Sequence, residues 1–377
     1  MLLTEHEGKA LLASVGIAVP PGVLVRSADA VGRRKLPYPV AVKAQAASGG
    51  RGKAGGIVRA DSPVRARMAA KKLLATKFGG ERPQAVLLEP WLAIERELYL
   101  SVTVDAAADG YAVLYSPRGG VDVEEGAAPA RYDVGPARNF RAYRLREALA
   151  GIEADVAVRD RVVALARRLV LLASSRDCTT IEINPLAKLA DGSLIAADAK
   201  VVRDDYARFR AADIAGRIDA DHARQPKAIA RALAGDLMLV WLDGEVGLIS
   251  GGAGMTMAAM DLVADAGGRP ACFLDCSANP TPQGYRLAFE LLDGEPRVKV
   301  ILVSIFGGLT QMDRVARVMK EIMSGRRSRK PVVFRLNGTN VTQANEILAQ
   351  ADLHNNATIE DAVREAISLA RPGVCRP

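Results

Sequence analysis

The stretch LMLVWLDGEVGLISGGAGMTMAAMDLVADAGG, residues 237–268, decides the architecture of the second half of the chain. It opens on an apolar strand-like run and crosses the loop Gly251-Gly252-Ala253-Gly254. It then enters a helical pattern that ends at paired glycines. The same grammar continues downstream. ACFLDC, VKVILVSIF and PVVFRLNG read as strands, and PQGYRLAFELLDG, QMDRVARVMKEIMSG and VTQANEILAQA as the helices between them. Continuous apolar strands alternating with helices predict a parallel sheet covered on both faces. The glycine loop fails the dinucleotide pattern, because Met257 stands where a third glycine belongs, but it suits an anion at a helix N-terminus. Phe306-Gly307-Gly308-Leu309-Thr310-Gln311 also joins strand to helix. Such loops line the ligand crevice of open α/β sheets. A helix starting near Thr310 points about half a positive charge into it.

Upstream, residues 203–235 are charged and alanine-rich and read as helices leading out of a first domain. This places the domains at 1–234 and 235–377. The first half mixes strands and helices. Residues 4–14 form an opening helix with Thr4 as N-cap, and 62–80 a capped helix ending at a glycine pair. PGVLV, YPVAVKAQ, QAVLLEPW, RELYLSVTVDA and GYAVLYSP are strands. A long helix runs near 158–174. Residues 179–202 form a hairpin turning at Asp191-Gly192.

Three stretches of this half carry chemical potential. In AVKAQAASGGRGKAGGIV (41–58), Lys43 ends a strand before a glycine-rich loop. Glycines let backbone N–H groups approach a polyanion, and lysine supplies a point charge. This is no P-loop, since Gly52-Lys53 is followed by Ala54 and a strand; a plain hairpin loop is the alternative. In Glu182-Ile183-Asn184-Pro185 with Asp198, an asparagine and an aspartate can face one side of a hairpin. Magnesium takes hard oxygen ligands of this kind and keeps waters; polar residues bonding turn backbone are the alternative. Around Leu87-Leu88-Glu89-Pro90 and Glu97-Leu98-Tyr99-Leu100, the glutamates suit ribose hydroxyls or an adenine amino group, or are simply solvent-facing carboxylates.

The 377 residues hold 51 lysines and arginines against 43 acidic residues, a net charge of +8. The arginines are dispersed, aromatics reach only 5%, and the one dense basic cluster is GRRSRK at 325–330. Polyanionic substrates account for that balance better than nucleic acid does. Four cysteines are too few for a disulfide scaffold. Cys272 and Cys276 have no second pair, and His6, His222 and His354 are scattered, so no zinc or histidine cluster is expected. No apolar run reaches the ~18 residues of a membrane span. MLLTEHEGKALL lacks the form of a signal peptide, so a cytoplasmic location away from membranes is expected.

Taken in order, VKAQAASGGRGKAGG, LLEPWLAIERELYL, IEINPL with the later AADAK, SGGAGMTMAAMD, FLD and SIFGGLTQMD resemble the β subunit of ADP-forming succinyl-CoA synthetase and its near relative, the large subunit of malate–CoA ligase. The likeness spans the whole chain. It implies an α/β protein: an N-terminal ATP-grasp domain followed by a flavodoxin-like, parallel-sheet CoA-ligase domain. It implies that Lys43, Gly50, Arg51 and Gly52 hold nucleotide phosphates and that Glu89, Leu92 and Glu97 line the adenosine. Asn184 and Asp198 would bind Mg2+, and Glu182 would contact a swinging phosphohistidine loop. Gly251, Gly308, Leu309, Thr310 and Gln311 would form the carboxylate end, with the helix dipole after Gly308 facing the phosphohistidine. The substrates would be ATP or GTP, CoA and a small carboxylic acid. The phosphorylated histidine and the main CoA site would lie on a partner α subunit, in an αβ or (αβ)2 assembly. A stand-alone ATP-grasp carboxylate–amine ligase and a catalytically silent nucleotide-binding regulatory subunit are the rival readings.

The sequence departs from that family mainly at the carboxylate end. Ala47-Ser48 replaces His-Ala before the double glycine. NGAG becomes GGAG, so Gly251 replaces a substrate-binding asparagine. FLDVGGG becomes FLDCSANP, and GGIVRCD becomes GGLTQMD, so Gln311 replaces an arginine. A hydrogen bond to a charged group contributes ~1.5–3 kcal/mol, and its loss costs a dicarboxylate roughly tenfold to a hundredfold in binding. The expected acid is therefore small and succinate-like but with an altered pocket: malate, or a hydroxylated, sulfonated or less charged acid, fits the neutral Thr310 and Gln311. Compensation by another arginine is the alternative.

Overall fold

A computed structural model describes residues 1–32, 37–46, 54–80, 82–120, 128–277 and 280–371. The chain divides into two units, Met1–Ala215 and Gly216–Pro377.

Unit 1 begins with α1 (Glu5–Ser14), β1 (Val23–Val25), α2 (Ala28–Val31), β2 (Val40–Gln45), β3 (Ile57–Ala60), α3 (Pro63–Ala75) and β4 (Ala85–Pro90). Thr4 starts α1 as expected, its backbone N–H and hydroxyl both donating to Glu7 Oε2, at 2.9 and 2.7 Å. Helix α3 starts at Ser62 as expected but stops at Ala75, ahead of Gly79-Gly80. The four strands form an antiparallel sheet in the order β1-β4-β2-β3. Strand β2 is buried at every position, so Lys43 is carried into the interior by its own strand.

There follow β5 (Ile94–Asp105), β6 (Gly110–Ser116), β7 (Ala130–Gly135), α4 (Ala142–Ala150), α5 (Val156–Ser175), β8 (Cys178–Leu189), β9 (Leu194–Ala196) and β10 (Lys200–Arg203). They build a second antiparallel sheet, β10-β8-β5-β6-β7, with β9 paired to β8. The Asp191-Gly192 turn stands as expected, with Gly192 at φ +79°. Helix α5 is capped by Asp155, which accepts from the N–H groups of Ala157 and Val158, and packs on β5, β6 and β8.

Helix α6 (Ala212–Arg224) crosses the divide. Unit 2 then runs through α7 (Lys227–Ala234), β11 (Met238–Trp241), β12 (Val246–Ser250), α8 (Ala253–Asp265), β13 (Cys272–Asp275), α9 (Pro282–Gly294), β14 (Val300–Gly307), α10 (Met312–Gly325), β15 (Val332–Gly338), α11 (Val341–Ala349) and α12 (Ile359–Ala370). The sheet order is β11-β13-β12-β14-β15. Strands β12 to β15 are parallel, as the alternation predicts. Strand β11 departs from it: it turns at Asp243-Gly244 and pairs antiparallel with β13 as an edge. Gly244 lies so close to the Arg269 and Pro270 carbonyls that a Cβ would collide with them. The divide also falls earlier than position 234. Helix α7 belongs with unit 2 because it packs on β11 and α9, and Gly235 sits against Leu287 with no room for a Cβ.

The core of unit 2 lies along β12 and β14. Val246, Leu248, Ile249 and Val300 to Val303 are almost wholly excluded from solvent, the pattern of a sheet covered on both faces. Leu302→Ala in the middle of β14 should lower stability by about 2–5 kcal/mol. Denaturant unfolding monitored by circular dichroism checks this; an unchanged midpoint would contradict the placement.

Candidate active site

Helix α1 buries the stripe Glu5, Gly8, Lys9 and Leu12, so two charged side chains occupy core positions. They meet the strand residues Lys43 and Glu89 in one cluster. The exposures are 1% for Glu5, 4% for Lys9, 7% for Lys43 and 2% for Glu89. Lys43 Nζ donates to Glu5 Oε1 at 2.8 Å and the Ala197 carbonyl at 2.7 Å, and pairs with Glu89 Oε2 at 2.8 Å. Lys9 Nζ reaches the same three acceptor groups: Glu5 Oε1 at 2.8 Å, both Glu89 oxygens at 2.6 and 2.7 Å, and the Ala197 carbonyl at 2.8 Å. Burial disfavours the Lys43 ammonium, but Glu5, Glu89 and Asp198 outweigh it and hold the Lys43 pKa above its usual value. Burial prevails at Lys9, with Lys43 adding repulsion, and lowers that pKa despite Glu5 and Glu89.

The Ala197 carbonyl brings this cluster to the hairpin residue Asp198. Pairing of Lys200 with Glu182 and of Ala196 with Leu186 brackets Asn184 and Asp198 on the two facing arms of the hairpin. Glu182 lies beside Asn184 on the same face, with Lys200 Nζ 3.7 Å from its Oε2. Asn184 is held at both ends of its carboxamide: Oδ1 accepts from Gly120 N–H at 2.6 Å and Nδ2 donates to Gly120 O at 3.2 Å. Gly119 N–H donates to the Glu97 carbonyl at 2.8 Å, so this glycine pair joins Glu97 to Asn184. A Cβ on Gly119 would strike the Leu98 backbone, and one on Gly120 (φ +78°) would strike Glu97 Oε2. Asp198 Oδ1 accepts the Ala199 N–H at 2.7 Å.

Of the residues expected at a nucleotide site, Lys43, Glu89, Asn184 and Asp198 are thus connected through direct contacts or strand pairing, and Glu97 joins them through Gly119-Gly120. Leu92 is half-buried in the β4–β5 connection. The Glu89 carboxylate is engaged by two lysines rather than turned outward. Gly50, Arg51 and Gly52 lie outside the described residues. Sequence reasoning missed Glu5, Lys9 and Gly119-Gly120. The signal for the first two was present, because positions 5, 8, 9 and 12 form one helical stripe and two of them are charged.

In unit 2 the Gly251 and Gly308 loops both leave the carboxyl ends of their strands, β12 and β14, as expected. Gly252 (φ +100°) donates its N–H to Asp275 Oδ1 at 2.7 Å and caps α8. Gly251 has room for a side chain, the nearest atom to an added Cβ being Ile305 Cγ2 at 3.7 Å. Leu309 is fully exposed, and Gln311 is the N-cap of α10 without a capping side-chain bond. The loop is clipped from β15, which the sequence reading missed. Thr339 donates its hydroxyl to Gly308 O at 2.7 Å, and its carbonyl accepts Met312 N–H at 2.8 Å. Gly338 (φ +125°) lies against the Gly307 carbonyl with no room for a Cβ. The Arg335 guanidinium lies over the Phe306 ring at 5.9 Å, with Nε and Nη1 buried and lacking hydrogen-bond partners.

Comparison with known proteins agrees with the fold of both units. Residues 2–188 match the ATP-grasp domain family and residues 249–369 the CoA-ligase family. The β subunit of ADP-forming succinate–CoA ligase from Rubrobacter xylanophilus is 37% identical over 99% of this chain and 100% of its own length. This chain belongs to that β-subunit family. The corresponding subunit from Pyrobaculum aerophilum is 36% identical over 98% of this chain and 100% of its own. A solved ATP citrate lyase from Methanothrix soehngenii shares the fold, with a TM-score of 0.65 at 18% identity, over 97% of this chain and 99% of that one. As a member of the succinate–CoA ligase β-subunit family the chain is a ligase subunit, and a β subunit implies an α partner. Among the described residues no helix is long and apolar enough to cross a membrane.

Gly119→Ala should push its loop off β5, lower the melting temperature, and speed hydrogen exchange at the Gly120 amide that now bonds Asn184. Unchanged exchange at that amide would show that the loop does not depend on the missing Cβ. Gly338→Ala should cost about 1–3 kcal/mol, as strained backbone does, read in the same melts.

Proposed function

We propose that this chain binds ATP and magnesium in unit 1 and, with an α partner carrying a phosphorylated histidine and the main CoA site, joins CoA to a small carboxylate other than succinate. The observation that carries the nucleotide half is the bond from Lys43 to the Ala197 carbonyl. This bond sets Lys43 next to the residue that precedes Asp198, on the hairpin arm that faces the one carrying Asn184. The donor set fits magnesium: one carboxamide oxygen and one carboxylate, both hard, with phosphate oxygens and water left to complete the shell. When bound, magnesium supplies charge neutralisation at the phosphates.

The chain's own residues do the rest. Lys43, with Gly50, Arg51 and Gly52, holds the nucleotide phosphates, and Leu92 and Glu97 border the adenosine. Glu182 meets the phosphohistidine loop where the phosphoryl group is taken up. At the second site α10 presents its N-terminus to the same histidine, and the acyl phosphate formed there is open to the CoA thiol. The acid binds between Gly251 and Gly308 to Gln311. Gly251 lacks the amide, and Gln311 the charge, that the family places there, and position 251 has room for a side chain. The reaction is cytoplasmic, in an αβ or (αβ)2 assembly.

The test is CoA-dependent ADP release by the complex with its α partner, over succinate, malate, hydroxy acids and sulfonated acids. Another acid should exceed succinate by about tenfold in kcat/KM, a difference of ~1.4 kcal/mol. Gly251→Asn with Gln311→Arg should then move preference back toward succinate by a similar factor. Succinate as the best substrate of the unmodified complex would defeat the altered-acid reading. ADP release by this chain alone, without CoA, would defeat the subunit reading in favour of a stand-alone ligase. In the same assay Asp198→Ala should raise the magnesium concentration needed for half-maximal rate by about tenfold or more.

A further inference from the structure

If unit 1 hands a phosphoryl group to a histidine at Glu182, two groups of the same charge meet there. A transferring phosphoryl group is anionic, and so is the carboxylate beside it; like charges at close range repel unless a cation stands with them. The buried cluster has little charge to lend, because Lys9 and Lys43 stand against Glu5 and Glu89, two ammonium groups facing two carboxylates.

Lys200 is placed differently. It pairs in register with Glu182 across β10 and β8, and its Nζ lies 3.7 Å from Glu182 Oε2. That is ion-pair range but longer than a hydrogen bond. The Lys200 side chain is 49% exposed and that of Glu182 25%. Both groups therefore reach the open face of the hairpin, and the ammonium has N–H donors to offer an anion arriving over it. We propose that Lys200 is a further catalytic residue of the phosphoryl transfer, binding the phosphoryl oxygens beside Glu182 as the group passes from ATP to the histidine of the α partner. In that step the bond from the γ-phosphorus to its bridging oxygen breaks, and ADP leaves with the electron pair. One ring nitrogen of the histidine gives its lone pair to phosphorus; the other keeps its proton, for which Glu182 is the acceptor. Lys200 gives up no proton and offsets the charge spread over the phosphoryl oxygens.

This assignment rests on the reading of unit 1 as the nucleotide site. It is tested on the first half-reaction, without acid or CoA, so it does not depend on which acid is activated. The complex with the α partner is mixed with MgATP labelled at the γ-phosphate, quenched at intervals, and assayed for phosphohistidine. Calorimetric titration of MgADP and the melting temperature are measured beside it. Lys200→Met should slow phosphohistidine formation about a hundredfold, as loss of one charge-stabilising group in a transition state does. MgADP affinity should change by less than about threefold. The melting temperature should hold, because an exposed ion pair contributes little to stability. Lys200→Arg keeps the charge and should recover most of the rate. An unmodified rate in Lys200→Met would overturn the assignment. So would a loss that follows a lower melting temperature, an equal loss of MgADP affinity, or a Lys200→Arg variant as slow as Lys200→Met. Absence of phosphohistidine from the unmodified complex would instead defeat the nucleotide-site reading on which the assignment rests.

Discussion

Two ammonium groups sharing three acceptors hold the first unit together. The contacts of Lys9 and Lys43 join α1, β2, β4 and the β9–β10 connection, segments up to 188 positions apart in the chain. Each sheet of unit 1 contributes: β2 and β4 belong to one, and the hairpin carrying Ala197 and Asp198 to the other. Removing one member of a buried ionic network costs ~3–5 kcal/mol, because its partners are left charged and dry. Such a network is therefore a poor place for sequence drift. Lys43, the lysine proposed to meet the nucleotide phosphates, is part of that core.

Both sites use close backbone approach for fine positioning. Gly119 and Gly120 lie against β5 so tightly that a Cβ would meet Leu98 or Glu97, and Gly120 then holds Asn184 by both its N–H and its carbonyl. In unit 2, Gly338 lies on the Gly307 carbonyl, and Thr339 next to it clips the loop that starts α10. In each case one chain segment without a side chain fixes the path of another that carries function.

The alternating apolar runs made the parallel sheet of unit 2 legible, because a sheet covered on both faces leaves no polar positions to blur the pattern. The same reading overlooked the edge strand β11. Its residues are apolar enough for a strand, but pairing direction depends on the Gly244 turn, which no periodicity reports. In unit 1 the hairpin and its turn were readable from residue type. The roles of Glu5 and Lys9 were not, because their partners are contributed by β4 and the hairpin. Only the oddity of two charges on the buried stripe of α1 pointed toward them. Glu89 shows the converse: an exposed-looking carboxylate in sequence, and a buried counter-ion in the fold.

The contrast between the two units bears on what was altered at the carboxylate end. Substitutions that damage a fold leave traces, such as a cavity or a broken cap. Gly251 leaves none: the neighbouring Gly252 still donates to Asp275, Asp275 still accepts Ser277 N–H at 2.8 Å, and α8 still starts one residue later. Gln311 still begins α10, whose first helical N–H, that of Met312, is met by Thr339. The frame around Gly251 and Gln311 is therefore intact, without the amide expected at position 251 and the charge expected at position 311. The neighbouring guanidinium of Arg335 has two nitrogens buried without partners, so this end of unit 2 retains a positive group. Under the proposed function, a frame that is kept while a neutral amide stands at position 311 in place of the expected arginine would discriminate differently among acids.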